Sequence, residues 1–456
     1  MRSARDADLP AAAQYGRFVD IAAVGAAAQA LGAPPCAWHR LYLATLAPEA
    51  VEEALATLVA AGDRPCAAAG IRHLASDLRH SGAQEPLARA RYWLAVLAPP
   101  QRPEPALRRL RQALSVSVRQ GDRERTARVF GQMGRLYAAA GHMPEAYSRL
   151  LAALDLGADA GLERAIHAAM HINAANVLVS MGHATRAADH YQSGLELAEA
   201  AGQETVATLA REGLRYLEEQ RGDLARAYLY GSAVLAHWRR VGPPHRIRHA
   251  LVNLARISME LDPQAADSLN LLAEAADLEG SVMDEAVHRL CEAGARIRRH
   301  EEDRAVALID SAQALLDQLA GMAANTAAFH VAYLRADLLL ARGEVSGAYE
   351  WYRAAAQILS SFPVRNTDIS PHLRQELVHG MTAAAQAVGR TEEAVDLAQA
   401  MGRADAPDPL PELQTRDVVR AELERVGEVA ASAAPVIFLP ARAGTRQGAP
   451  GRRPGR

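Results

Sequence analysis

A unit of about forty residues recurs along this chain, and a chain built from one short unit is confined to folds in which each unit buries its apolar face against the next. In FGQMGRLYAAAGHMPEAYSRLLAAL, the residues Phe130, Met133, Gly134 and Tyr137 are followed by Ala146 and Leu150. The next unit, HINAANVLVSMGHATRAADHYQSGL, puts His171, Ala174, Ala175 and Leu178 in the first slots and Ala187 and Tyr191 in the second. Such positions suit two antiparallel helices in contact: a small residue lets the backbones approach and larger ones fill the space beside it. Anchored on the second-helix alanine, the series runs Ala67, Ala106, Ala146, Ala187, Ala227, Ala266, Ala305, Ala348 and Ala394, with spacings of 39, 40, 41, 40, 39, 39, 43 and 46. Glycine stands five positions earlier at Gly62, Gly141, Gly182, Gly222, Gly343 and Gly389, six of nine units, where 32 glycines in 456 residues would place fewer than one by chance. It fits there because a first helix must end in a left-handed conformation before the chain reverses.

These slots resemble the W-x2-L-G-x2-Y and A-x3-F elements of the tetratricopeptide repeat superfamily. The longer-repeat members, such as the sensor regions of MalT-like bacterial activators and the Rap-type peptide receptors, are the ones the chain resembles, over roughly residues 85–402 with a weaker unit at 49–82. The resemblance implies an all-α fold, a right-handed α-solenoid of antiparallel helix pairs with about eight to nine repeats. The chain departs from the pattern in its period, about 40 against 34. It also lacks the closing proline in the Ala146 unit and the turn glycine in the Ala266 and Ala305 units. HEAT repeats share the longer period and are the structural rival; the Gly-x4-Ala pairing favours the tetratricopeptide assignment. The expected organisation is a helical cap or degenerate repeat at 1–48, the array at 49–402, a proline-rich linker and helix at 403–431, and a disordered Gly/Pro/Arg tail at 432–456.

Composition narrows the chemistry. The 50 basic residues are all arginine, so a P-loop lysine, a Schiff-base lysine and a kinase phosphate-binding lysine are excluded. The high Ala and Arg content fits the coding bias of a high-GC bacterial genome. Cys36, Cys66 and Cys291 are far apart and form neither a CxxC pair nor a disulfide framework, which suits reduced thiols. With no run of apolar residues long enough for a span and no apolar core in MRSARDADLPAAAQYGRF, no membrane association and a cytoplasmic location are expected. PVIFLP at 435–440 is the only apolar run of strand character. No sheet is therefore available for nucleotide chemistry, and the chain is read as not an enzyme.

Candidate metal motifs fail on geometry. His300-Glu301 opens a HExxH pattern, but Arg304 stands at its fifth position. Glu285/His288 and Glu376/His379 have the spacing of di-iron ligands but lie about two units apart along a solenoid that contacts only its neighbours. His167 and His171 share one helix face, with no third ligand at ligand spacing. No metal, cofactor or catalytic residue is expected. Arginines cluster in the segment 238–249, at Arg298-Arg299 and in the tail, yet the net charge is −3 and no helix-turn-helix or RNA-binding signature accompanies them, which argues against nucleic acid.

The remaining polar signal lies on the first helices, whose groove side in such arrays meets a protein or peptide ligand. Three of six asparagines sit in equivalent places. Asn173 and Asn176 bracket Ala175, Asn253 and Arg256 bracket Ala255, and Gln132 and Arg135 bracket Gly134. Each pair is three apart and so on one face, and an amide can both donate to and accept from an extended backbone. Tyr216 and Asp337 take the corresponding slot elsewhere. The competing reading is that these amides bond between helices and hold the register. Tyr137, Tyr191, Tyr349, Trp351 and Tyr352 are assigned to packing. The functions expected are a non-enzymatic scaffold that binds protein or peptide in its concave groove or, alternatively, the sensor module of a bacterial signalling or transcription system whose output domain is missing or on another chain.

Overall fold

The computed structural model describes residues 64–426 except 83, 99–102, 262–263, 265, 320–321, 362–368, 370, 404–406 and 412–413. The expected cap at 1–48, the tail at 432–456, the PVIFLP run and Gly62 lie outside the described residues. Among the described residues every regular element is an α-helix and there is no strand.

The described residues form two compact units, one of those up to Leu162 together with those from Pro411, the other of those in Glu163–Leu410. The first unit begins with α1 (Arg64–Ser81) and α2 (Gln84–Val96), then α3 (Pro103–Arg119), α4 (Arg123–Ala139) and α5 (Met143–Ala160). The second unit contains α6 (Arg164–Ser180), α7 (Ala184–Ala200), α8 (Glu204–Arg221), α9 (Leu224–Val241), α10 (Pro244–Leu261) and α11 (Ala266–Ala276). It continues with α12 (Val282–Arg298), α13 (Glu302–Leu316), α14 (Met322–Ala341), α15 (Val345–Ser360), α16 (Pro371–Val388) and α17 (Thr391–Arg403). A last helix, α18 (Thr415–Glu424), belongs to the first unit. From α2 onward the helices pack as consecutive hairpins, each first helix against the second that follows it.

The anchor residues explain the hairpins. Ala106, Ala146, Ala187, Ala227, Ala305, Ala348 and Ala394 are all fully buried at the start of a second helix. Where successive hairpins meet most tightly the small residue is glycine: any Cβ on Gly213 of α8 would overlap the ring of Tyr191 from α7, and one on Gly380 of α16 would overlap that of Tyr352 from α15. Tyr191, Tyr349 and Tyr352 are accordingly buried packing residues, as is Tyr137 in the first unit.

Gly141, Gly182, Gly222, Gly343 and Gly389 all have positive φ at the reversal between paired helices. The backbone keeps this geometry in the Ala305 unit without glycine: His300, five before Ala305, has φ 57°. The Ala266 unit departs further. Ala266 is exposed, and the first fully buried small residue of α11 is Ser268, two positions on. Alanine spacing alone misplaced that register because in α11 a different residue takes the buried place.

The helix expected within 403–431 spans Thr415–Glu424 and packs on α5 and α3. Val418, Val419 and Glu422 are buried there.

Candidate ligand-binding cavity

Four first helices of the second unit, α10, α12, α14 and α16, wall a cavity of about 510 Å³. Each contributes a stripe at helical spacing: Arg248, Val252, Asn253, Arg256 and Met259 on α10; Met283, Val287, Leu290, Gly294 and Ile297 on α12. His330, Tyr333, Leu334 and Asp337 come from α14, and Leu373 and Glu376 from α16. Residues three and four apart lie on one helical face, so a single face of each helix turns toward the same space. Met259, Leu290 and Leu334 give it a buried apolar floor.

Polar and charged groups gather on both its α10 and its α14 sides. At the α10 end, the Arg256 guanidinium donates to Glu219 Oε2 at 3.0 Å, and Glu219 is itself fully buried and bonded by Arg215 at 2.7 Å. Arg248 donates to the Leu278 carbonyl at 2.7 Å and to Glu285. Asn253 lies 3.3 Å from the His249 ring. At the α14 end, the Tyr352 hydroxyl donates to Asp337 Oδ1 at 2.6 Å and the Tyr333 hydroxyl to Glu376 Oε2 at 3.2 Å. Arg298 stands 4.0 Å from Glu376. Burial pushes the Asp337 carboxyl up to about 6; the tyrosine hydrogen bonds oppose the rise and the Glu376 charge adds to it. Burial and the neighbouring carboxylates likewise push both tyrosine hydroxyls up. An apolar floor with hydrogen-bonding groups at opposite ends is the construction of a site that orients an elongated ligand.

Of the residues singled out in the sequence, Asn253, Arg256 and Asp337 line this cavity together. The others do not. Gln132 is buried in α4 of the first unit, where it donates to the Ala95 carbonyl at 3.5 Å and accepts from Arg135 at 3.1 Å. Its amide joins α4 to α2, the register role weighed against ligand binding. Asn176 on α6 accepts from the Tyr191 hydroxyl at 2.5 Å. Asn173 on α6 and Tyr216 on α8 are half-buried outside the cavity lining.

The motifs set aside as metal pairs on spacing have other partners. His288 meets the Leu272 carbonyl at 2.9 Å while Glu285 receives Arg248 and Arg289. His171 Nδ1 lies 3.0 Å from His190 Nδ1, a neighbour on α7 that helix spacing could not reveal. Among the described residues no three His, Cys, Asp or Glu side chains converge on a metal-holding arrangement. Arg239, Arg246 and Arg248 of the 238–249 segment are also engaged, Arg239 with Glu274, Arg246 with Glu212 and the Trp238 ring, and Arg248 with the Leu278 carbonyl.

No protein-family model matches this chain, and no curated protein matches it in sequence. Among solved structures it is similar to a Rap protein complexed with Competence and Sporulation Factor, with a TM-score of 0.51 and 12% identity over 82% of this chain and 97% of the other. Weaker similarities are to a tetratricopeptide repeat protein from Parabacteroides merdae ATCC 43184 (TM-score 0.38, 14% identity, 59% and 93% covered) and to BtubC (BKLC) from P. vanneervenii (TM-score 0.40, 20% identity, 47% and 92% covered). The chain has a tetratricopeptide-like repeat fold.

Within this tetratricopeptide-like array the position after the small slot falls at Arg256, Gly294 and Asp337 in three consecutive units, and all three line the cavity. Gly294 escaped the sequence reading because a residue without a side chain offers no chemistry to weigh, although its emptiness helps make the space. A Cβ there would meet only ordinary contacts, 3.6 Å from Leu334 and 3.7 Å from Met259. Tyr333 was also missed, yet it lies one turn before Asp337 and was within reach of the same helical argument. Glu376 was weighed only as half of a metal pair. No helix among the described residues is long and apolar enough to cross a membrane.

Proposed function

We propose that this tetratricopeptide-like chain is a non-enzymatic scaffold that binds a peptide segment of a partner in the cavity between α10, α12, α14 and α16. The single observation that carries the reading is the convergence of four first helices on one apolar-floored space with Asn253 and Arg256 at one end and Asp337 at the other. In the proposed complex the Asn253 amide bonds the peptide backbone, an apolar side chain rests on Met259, Leu290 and Leu334, and the two charged ends fix the direction of the strand. The fold similarity to a structure solved with Competence and Sporulation Factor supports a bound ligand in such an array. The same likeness, running along 82% of the chain, favours as a second reading the sensor module of a bacterial signalling or transcription system with its output domain on another chain. The separated cysteines fit a cytoplasmic setting in either case.

The test fills the cavity without touching the hairpin contacts. A peptide library is passed over the wild-type chain and over Gly294→Phe. Peptides retained by the wild type are lost from the variant while helicity and thermal midpoint stay within a few degrees; equal retention by both removes this cavity as the binding site.

A further inference from the structure

The contact between α18 and the rest of the first unit is built unlike the hairpins. A hairpin closes on alanine, leucine and tyrosine; α18 closes on a buried charge. Glu422 is fully buried and accepts from Arg111 Nε at 2.8 Å, Arg149 Nη2 at 2.5 Å, Arg425 Nη1 at 2.9 Å and the Tyr137 hydroxyl at 3.4 Å. Arg111 and Arg149 are themselves buried, on α3 and α5, and the Arg149 guanidinium lies over the Tyr137 ring with its carbon 5.1 Å from the centroid. Apolar contact is modest: Val418 and Val419 are buried, and Thr415 donates to Asp155 at 2.5 Å.

Three physical points follow. A ten-residue helix is too short to be stable alone in water, so α18 is ordered by its docking. A buried arginine–glutamate–arginine group is a poor source of net stability compared with apolar residues of the same volume, and its best-attested use is selecting register and partner. The helix follows Pro407, Pro409 and Pro411, a composition that favours extended chain, and the Asp408 backbone of that stretch is anchored by hydrogen bonds with the Met181 carbonyl and the His183 ring.

We propose that the cleft formed by α3, α5 and Tyr137 is a receptor site for an acidic helix, that α18 is its resident ligand in cis, and that release of α18 opens it to a partner helix of the same chemistry. The pattern read by the site is two adjacent apolar residues with a glutamate one turn on, as in Val418, Val419 and Glu422. When α18 leaves, Arg111 and Arg149 return to water, so opening strands no buried charge; a helix with glutamine in place of the glutamate cannot neutralise them. This site is separate from the cavity of the second unit, and either reading stands if the other fails.

The probe is a fluorescent synthetic peptide of residues 411–426, titrated into the full-length chain. The full-length Val418→Asp/Val419→Asp variant, in which α18 is displaced, is expected to bind it, and the wild-type chain at least about tenfold more weakly, because the tethered helix competes at high effective concentration. The same peptide carrying Glu422→Gln is expected to bind the displaced variant at least about thirtyfold more weakly, the scale of losing a charge-assisted contact. No binding to the displaced variant, or equal binding of both peptides, overturns the proposal. Hydrogen exchange on the unaltered chain keeps the test open should the variant misfold: α18 amides are expected to exchange at least about a hundredfold faster than those of α5, and equal protection shows α18 to be an integral part of the fold and sinks the idea.

Discussion

His300 stands in a left-handed conformation that its neighbours in the repeat reach with glycine. A side chain costs free energy there, and His300 is exposed, so nothing packed is lost by removing it. His300→Gly is expected to raise stability by roughly 0.5–1 kcal/mol, and Gly141→Ala to lower it by about 1 kcal/mol. Urea titrations of the two variants check the pair, and equal signs would contradict the turn assignment. Asp337 provides a second residue-scale outcome. Its carboxyl lies at about 6 in the fold against an ordinary 3.8, so the native chain holds that proton more tightly than the unfolded chain. The resulting stabilisation is complete below about pH 4 and is lost as the pH rises through 6, an amount on the order of 3 kcal/mol. Asp337→Asn removes this dependence, so the stability difference between variant and wild type should shift in the variant's favour between pH 4 and 7. A flat difference would show that Asp337 ionises normally.

At the scale of elements, the stacking of one hairpin on the next depends on close approach. Gly213→Ala forces the α8 backbone away from the Tyr191 ring and is expected to destabilise the second unit by roughly 1–3 kcal/mol, the range of overpacking. Thermal unfolding of that variant measures it. The last helix responds instead to acid. Burial alone would raise the Glu422 carboxyl, but the Arg111 and Arg149 hydrogen bonds and the Arg149 and Arg425 charges outweigh it and hold the group below its usual range. A carboxylate with a lowered value stabilises docking above the ordinary carboxylate range and loses that contribution as the pH falls through its folded value. Protection of the α18 amides is therefore expected to hold at pH 5 and above and to collapse in stronger acid. Protection unchanged at pH 3 would mean the valines alone secure the helix.

At the scale of the whole molecule, stacked hairpins share only neighbour contacts, so a ligand touching four first helices couples elements that otherwise interact pairwise. A peptide bound at one hundred times its Kd should stabilise the second unit by about 2.7 kcal/mol, and calorimetry should find this shift absent in Gly294→Phe. What the sequence could disclose follows from the same locality. Glycine at most reversals and alanine at most close contacts are set by geometry within some forty residues, so the pitch of the array and its all-helical class were legible in the residues themselves. Asn253, Arg256 and Asp337 were found as a periodic slot. Their periodicity could not separate a cavity-lining amide from one such as Gln132, which bonds the neighbouring helix, because both occupy the same helical face.

The sequence by itself determined the helices, their pairing and the turn chemistry, since each depends on residues close in the chain. The tertiary structure decided which face encloses space, that Ser268 and not Ala266 takes the buried place in α11, and that His190 meets His171. It also decided that Glu422 seeks Arg111 across 311 positions. Contacts of that range carry no local period, and they become visible only when packing brings distant charges into one low-dielectric place where they must be paired.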